Sequence, residues 1–520
     1  MPKTPSNKLF NLIKSLSGSE KRYFNLHVKN ARSDKVNKYL QLFEAIDAQE
    51  EYDDEALRRL IYADEPIQSR KFSELKAYLY ELVLKSLQGF DEKSSIDFRL
   101  KGFLQSVRVL YKRSHYEEAK ELLQKAKKLA LKYEAFHLLV EILNWTKQIA
   151  YAQADIPFLD KELEHIDQEE RVCMEHLQNI SAYKNIFYRI MISIRKDSLL
   201  RSEEKITKLD AVMDHPLLSD ISQARSHRAK IIYYRTYGLY YISILQYDKL
   251  YQVSKEAIEL MESKPYLLKE DVSEYISALS NFAFCCGLLE RYEEVRACLR
   301  KFKAIRPNTR NDELRIHIEY YSKTFNLCIF TGEFEEAERA LIEHEREMKG
   351  FDQSLFERGR FYFQYFYIHF GIGNYDKALH DLNRWLNMPR SIERQDLQSL
   401  ARILNLIIHF EMGNVLLLDY ILRSTYRFLR SRNRIFEFER RVLNFIRESN
   451  KIKTGKELRS AFIQLKTDFE ELANIPSERV MFQYFDFIAW LESKITGEAF
   501  DRVVKQRFRD RLQKKGQPGA

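Results

Sequence analysis

An all-α fold is predicted by three observations. Glycine (15) and proline (10) together supply 25 of the 520 residues, under half of the roughly 12% found in average usage. Strand-rich folds need a sharp turn every ~8–12 residues, and nucleotide folds need glycine loops around phosphate; a chain this poor in breakers suits neither. Apolar residues make up 45% and charged residues 31%, the balance of amphipathic helices with exposed charged faces. A short signal also recurs every 40 to 45 residues through most of the chain, a period characteristic of stacked repeat units.

Residues 1–95 read as a helical N-terminal region outside that period. Ser17-Gly-Ser-Glu20 is a capping box opening a helix through Tyr23, Phe24 and Val28, because the serine hydroxyl and the glutamate each satisfy an orphan amide of the first turn. Further helices are expected around 36–48, 54–61 and 66–87. Residues 1–38 hold nine basic and two acidic groups, so this end is basic.

Residues 96–475 carry the repeat. Its signal is a turn residue, then an aromatic or apolar residue, then acidic or polar residues and a small or apolar one. It reads Ser114-His-Tyr116-Glu-Glu-Ala119, Leu245-Gln-Tyr247-Asp-Lys-Leu250, Glu290-Arg-Tyr292-Glu-Glu-Val295, Gly332-Glu-Phe334-Glu-Glu-Ala337, Gly373-Asn-Tyr375-Asp-Lys-Ala378, Gly413-Asn-Val415-Leu-Leu-Leu418 and Gly455-Lys-Glu457-Leu-Arg-Ser460. From Leu245 onward the spacings are 45, 42, 41, 40 and 42. Two degenerate units are expected between Ala119 and Leu250, with candidate turns near 155–158 and 197–199. Pro265, Pro307, Pro389 and Pro476 lie one or two periods apart and mark unit ends. The physical reading is an antiparallel helical hairpin repeated about nine times. Gly332, Gly373, Gly413 and Gly455 suit the left-handed residue that ends a first helix, and the acidic residues that follow suit the positive N-terminus of a second. One hairpin cannot bury both faces, so neighbours must stack.

The signal resembles the tetratricopeptide repeat. The likeness rests on Gly-x-Tyr/Phe-x-x-Ala at three units, on the Tyr234, Tyr237, Gly238 and Tyr241 series in the helix ahead of Leu250, and on Pro307 twelve residues after Val295. The period exceeds that family's ~34 residues, and Leu250, Val295 and Leu418 stand where it has alanine, so the chain looks like a long-helix relative. The resemblance covers roughly 96–475 and implies a right-handed solenoid whose concave face, lined by first helices, binds protein or peptide. Residues 9–24 look like the opening of uncharacterised repeat proteins of Bacteroidota bacteria, which names no activity. Residues 476–520 read as C-terminal capping helices, over 478–494 and 498–512, with a polar tail from Lys514.

Signatures of chemistry are sought next. No two glycines lie four apart, so a G-x-S-x-G elbow is excluded. Thr454-Gly455-Lys456 has Asn450 where a phosphate loop requires its first glycine. Cys173, Cys285, Cys286, Cys298 and Cys328 form no C-x-x-C and read as reduced packing residues. His369 and His409 each stand four residues before a turn glycine; a metal or pH-sensing ladder is weighed against packing, and packing is preferred because no carboxylate partner is evident. No enzyme activity, cofactor or metal is expected. The N-terminus has no signal-peptide pattern and no charge-free run reaches 18 residues, so a cytoplasmic protein is expected.

Two surfaces remain as candidate sites. Projecting the repeat register onto first helices gives Arg235, Leu239, Ser280, Phe284, Lys323, Asn326, Gln364 and Tyr367 as groove residues. Lys323 and Asn326, one turn apart, suit a peptide carboxylate or backbone; a plain solvated face is the preferred reading. The cluster Phe361-Tyr-Phe-Gln-Tyr-Phe-Tyr367 is denser than one helix stripe can hide, so part of it is expected to face a neighbour and part the groove; core packing is the preferred reading over a ligand platform. The second surface lies in 423–441, where seven arginines face Glu437 and Glu439. Arg423, Arg427, Arg430 and Arg434 line one helix stripe, with Leu422, Tyr426, Leu429 and Phe436 on an adjacent buried one. The expected function is a non-catalytic scaffold binding a protein or peptide. The alternative is a nucleic-acid-associated regulator whose basic N-terminal region or arginine stripe contacts phosphates.

Overall fold

The computed structural model of the chain describes residues 7–29, 34–62, 69–196, 203–351, 356, 361–387, 395–431, 436–449, 452, 454–475, 478–482 and 484–516. Among the described residues every regular element is a helix and there is no strand. No helix among them is long and apolar enough to cross a membrane. The chain divides into two compact units, Met1–Glu290 with Ala304–Ile316, and Arg291–Lys303 with His317–Ala520.

The first unit begins with helices Lys8–Ser15, Gly18–Lys29, Asp34–Ala48, Asp54–Tyr62 and Ser69–Ser94. They enclose a core of their own that includes Leu9, Phe24, Phe43, Ile46, Leu57, Phe72 and Val83. The capping box forms: the Ser17 amide donates to Glu20 Oε2 at 2.6 Å, and the Glu20 amide to Ser17 Oγ at 3.3 Å. Paired helices then follow, Ile96–Tyr111 with Tyr116–Lys132, Phe136–Ala152 with Ile156–Lys196, and His227–Ser243 with Tyr247–Glu262. The turn expected near 155–158 is present at Ala154, while that expected at 197–199 lies outside the described residues. The intervening stretch is not a hairpin of ordinary length. No glycine or proline interrupts 158–196, so one helix runs for 41 residues, about 61 Å at 1.5 Å per residue.

A single turn device explains the recurring signal. At Gly373 the amide donates to Phe370 O at 3.0 Å and the next amide, of Asn374, to His369 O at 2.8 Å. These two bonds satisfy carbonyls that a helix end would otherwise leave orphaned, and they require a residue with positive φ between them. The same pair closes the turns at Ser114, Glu134, Ala154, Leu245, Gly332 and Gly413, all with φ between 52° and 79°. Glu290, with φ 56°, also takes the left-handed conformation. A side chain there costs about 1–2 kcal/mol, so five non-glycine residues hold the turn at a penalty that the paired bonds offset. Gly455 departs from expectation. It is the first residue of helix Gly455–Leu472, behind the N-cap Thr454, whose hydroxyl accepts the Glu457 amide at 3.3 Å; a threonine cap stands in place of a left-handed turn.

Helix starts are also held from a distance. In the first unit the Glu134 carboxylate accepts the amides of His227 and Arg228 at 3.1 and 3.3 Å, and Glu270 accepts the Ile96 amide at 3.0 Å. In the second unit Glu478 accepts the amides of Glu437 and Phe438, both at 3.2 Å. An anion at the positive end of a helix is favourable by roughly 0.3–1 kcal/mol, more where partly buried. The second unit contains helices Phe334–Met348, Tyr362–Gly371, Tyr375–Leu386, Gln395–Glu411, Val415–Arg430, Glu437–Ser449, Gly455–Leu472, Arg479–Phe482, Phe487–Thr496 and Phe500–Gly516.

Candidate functional site

The projected first-helix residues are not equally available. In the first unit, Arg235 is salt-bridged to Glu274 of the next first helix, Val272–Leu288, and its guanidinium lies 4.6 Å from the Phe187 ring centre. Arg315 continues the ladder, donating to Ser273 and, at 2.6 Å, to Ser277. Phe284, on the same helix Val272–Leu288 as Glu274, stands 42% exposed, a large apolar ring left to solvent.

In the second unit the corresponding residues are engaged with each other. Lys323 lies 3.5 Å from Glu319, one turn back on its own helix, Arg310–Thr331. Gln364 Nε2 donates to Asn326 Oδ1 at 2.6 Å and to Ser322 O at 2.9 Å, so the structure brings Asn326 and Gln364 together. Tyr367 is only 4% exposed. Its hydroxyl accepts the Asp486 amide at 2.8 Å, its ring lies 4.8 Å from that of Phe485, and burial raises its pKa.

What covers Tyr367 is the chain's own C-terminal segment. Phe485 and Phe500 pack on Phe370 at 5.2 and 5.4 Å. Trp490 reaches helix Gln395–Glu411, where its indole donates to Glu411 Oε1 at 2.7 Å, and Lys494 pairs with the same carboxylate. Helix Phe500–Gly516 passes so close to the Gly332 turn that a Cβ there would lie 2.5 Å from the Lys505 backbone nitrogen. Phe363, Phe366 and Tyr367 are therefore covered by this segment, while Phe361 and Tyr365 pack on Phe325 and His344; within the cluster only Phe363 falls short of full burial.

The buried histidines have partners that spacing alone did not reveal. His369 Nδ1 lies 2.8 Å from Asp381 Oδ2, both groups being buried, so the carboxylate judged missing arrives from helix Tyr375–Leu386. His409 Nδ1 is 3.2 Å from Asn414 Nδ2, and burial lowers its pKa. The ligand atoms of Cys328, Glu333 and Glu336 lie within 4.8 Å of one another. There Arg296 bonds Glu333 at 3.0 Å, Thr331 Oγ1 donates to it at 3.1 Å, and burial pushes the Cys328 thiol up to about 12. A neutral thiol beside an arginine-neutralised carboxylate is a satisfied packing cluster. The five cysteines are buried, with no disulfide among them.

The arginine stripe is exposed on helix Val415–Arg430. Arg423 pairs with Asp419 at 2.7 Å, Arg440 with Glu437 at 2.9 Å, and Arg441 with Glu437 and Asp468 at 2.9 and 3.1 Å. Arg427 and Arg430 have no ion-pair partner among the described residues, and Arg434 lies outside them. Leu422 and Leu429 are buried as expected, but Tyr426 and Phe436 are exposed. The expectation also passed over the other end of the same stripe. Leu416 is 94% and Tyr420 66% exposed, with Val415 and Leu417 exposed beside them. The signal was present in the repeat itself, since Leu416-Leu417 replaces a charged pair. No protein-family model matches the chain, and no curated protein matches it.

Proposed function

We propose that the chain is a non-catalytic binding scaffold: a tetratricopeptide-like solenoid of about nine hairpins, cytoplasmic, that holds protein or peptide segments against its first helices. The observation that carries this reading is the segment 484–500, which lies on first helices Tyr362–Gly371 and Gln395–Glu411 through stacked aromatics, one backbone amide on Tyr367 and two donors on Glu411. A first-helix face of this chain is thus chemically suited to a peptide. With that stretch occupied by the chain itself, the groove open to a partner is the one bearing Arg235 and Phe284. Aromatic anchors surrounded by polar pairs are the composition of binding hot spots.

Affinity capture on the full chain and on Phe284→Glu tests this. At least one partner retained by the parent is expected to be lost by the variant, and an unchanged partner set overturns the assignment of the groove. The nucleic-acid reading draws on Arg427 and Arg430. Two such contacts predict a log–log salt slope of only about −1.8, and no binding of a labelled 30-nucleotide DNA or RNA at low salt removes that reading.

A further inference from the structure

The outward positions of the second helices follow a rule that two hairpins break, at Pro157-Phe158 after the Ala154 turn and at Leu416-Leu417 after Gly413. In five other hairpins the two residues after the aromatic or apolar start of the second helix are Glu117-Glu118, Asp248-Lys249, Glu293-Glu294, Glu335-Glu336 and Asp376-Lys377. All are exposed except the half-buried Glu294, and the next residue (Ala119, Leu250, Val295, Ala337, Ala378) turns inward and is buried. The register therefore dictates exposure, and an acidic residue there gains from the positive helix N-terminus. In the hairpin that starts at Gly413 the same positions are Leu416 and Leu417, exposed as the register requires, while Leu418 is buried in its turn. Packing does not account for a leucine left 94% exposed.

These leucines open a continuous surface. Leu416, Tyr420, Arg423, Arg427 and Arg430 follow i, i+4, i+7, i+11 and i+14, a single stripe of helix Val415–Arg430, about 21 Å long. It is apolar in its first two turns and cationic in its last two. We infer that this stripe, on a second helix and apart from the first-helix groove, docks an acidic amphipathic helical segment of a partner protein, with apolar side chains against Leu416, Leu417 and Tyr420 and carboxylates against Arg427 and Arg430. The inference rests on the scaffold reading and adds a second binding face of stated chemistry. Charge complementarity selects the occupant: two guanidinium groups without an ion-pair partner among the described residues call for carboxylates, and bidentate arginine pairs are the strong ones. A helix lying on an anionic bilayer needs its apolar face along its whole length with basic flanks. Here the two characters are separated end to end, with Asp419 exposed between them, so a bilayer fits poorly. Nucleic acid has no use for the leucines.

The probe is a display library of random 16-residue peptides selected on the full-length protein and counter-selected on Leu416→Asp/Leu417→Lys. That variant installs the Asp376-Lys377 pair found one repeat earlier, so its circular-dichroism melting temperature should be no lower than the parent's. Peptides retained by the parent and lost by the variant should combine Asp or Glu with neighbouring apolar residues. Synthetic copies of them should bind Arg427→Glu/Arg430→Glu at least tenfold more weakly. A variant-sensitive set without acidic residues, or no variant-sensitive set at all, overturns the inference. Variant-sensitive co-sedimentation with vesicles containing phosphatidylserine, in the absence of peptide binding, overturns it in favour of a membrane. Peptides insensitive to Leu416 and Leu417 but lost on Phe284→Glu overturn it while leaving the scaffold reading in place.

Discussion

Acidification should destabilise the second unit through His344, and the size of the effect can be worked from its surroundings. The imidazole is fully buried. Its Nε2 lies 2.5 Å from the Tyr365 hydroxyl, while its Nδ1 has no hydrogen-bond partner among the described residues. The ring stacks on His317 with centres 4.9 Å apart, and Tyr321, Phe325, Phe356 and Phe361 enclose it. Burial first, and the neighbouring His317 second, hold its pKa down to about 3. In the unfolded chain the group titrates near its ordinary value of 6.5. Above that pH histidine is neutral in both states and stability is complete. Between about 6.5 and 3 the unfolded chain takes up a proton that the folded site refuses, so stability falls as pH falls. By pH 5 the loss is about 2 kcal/mol. His317, whose pKa burial also lowers although Glu347 opposes it at 3.4 Å, adds a loss of the same sign. The assay is urea unfolding at pH 8 and pH 5, followed by fluorescence of Trp385 and Trp490 in a Trp145→Phe background so that only the second unit reports. His344→Leu should be less stable at pH 8, because the Tyr365 hydroxyl loses its partner, yet it should lose about 2 kcal/mol less than the parent on going to pH 5. Parallel pH dependences in the two proteins would refute the reasoning.

Other variants probe the turns and the C-terminal cover. Gly373→Ala meets no atom within 4 Å, so its cost is the left-handed backbone alone, about 1–2 kcal/mol in urea midpoints; Leu245→Gly, at an exposed turn with φ 59°, should stabilise by up to about 1 kcal/mol. Gly332→Ala drives a Cβ into the Lys505 backbone, and limited proteolysis should cleave before helix Phe500–Gly516 in the variant but not in the parent. Trp490→Ala removes a side chain 1% exposed and a donor to Glu411, and should cost about 3–5 kcal/mol; a value under 1 kcal/mol would show that the segment contributes little to the second unit.

The turns were the most legible part of this protein, because they are local. A positive-φ residue and two backbone bonds spanning five residues make the hairpin turn, and a change of partner elsewhere does not alter it. That is why Ser114, Leu245, Glu290, Gly332, Gly373 and Gly413 could be placed from spacing, and why the helical class followed from the scarcity of glycine and proline. Gly455 misled for an equally local reason: a glycine after threonine serves as well at the start of a helix as past the end of one. The arginine stripe was legible as a periodicity, but its leucine end was not, because exposure of Leu416 becomes evident only when the hairpins are compared position by position.

Sequence by itself thus determined the helices, the turns and the alternation of inward and outward residues, all set by interactions within a few residues of one another. Tertiary structure alone decided which faces remain open. Tyr367 and Gln364 looked like groove residues because nothing in their own helix covers them; Phe485 and Phe500, more than a hundred residues later, cover Tyr367, and Ser322 and Asn326 of an earlier helix engage Gln364. His369 looked unpaired until helix Tyr375–Leu386 returned Asp381 to it. Burial and partnership depend on contacts between segments far apart in the chain, and no helical period encodes those.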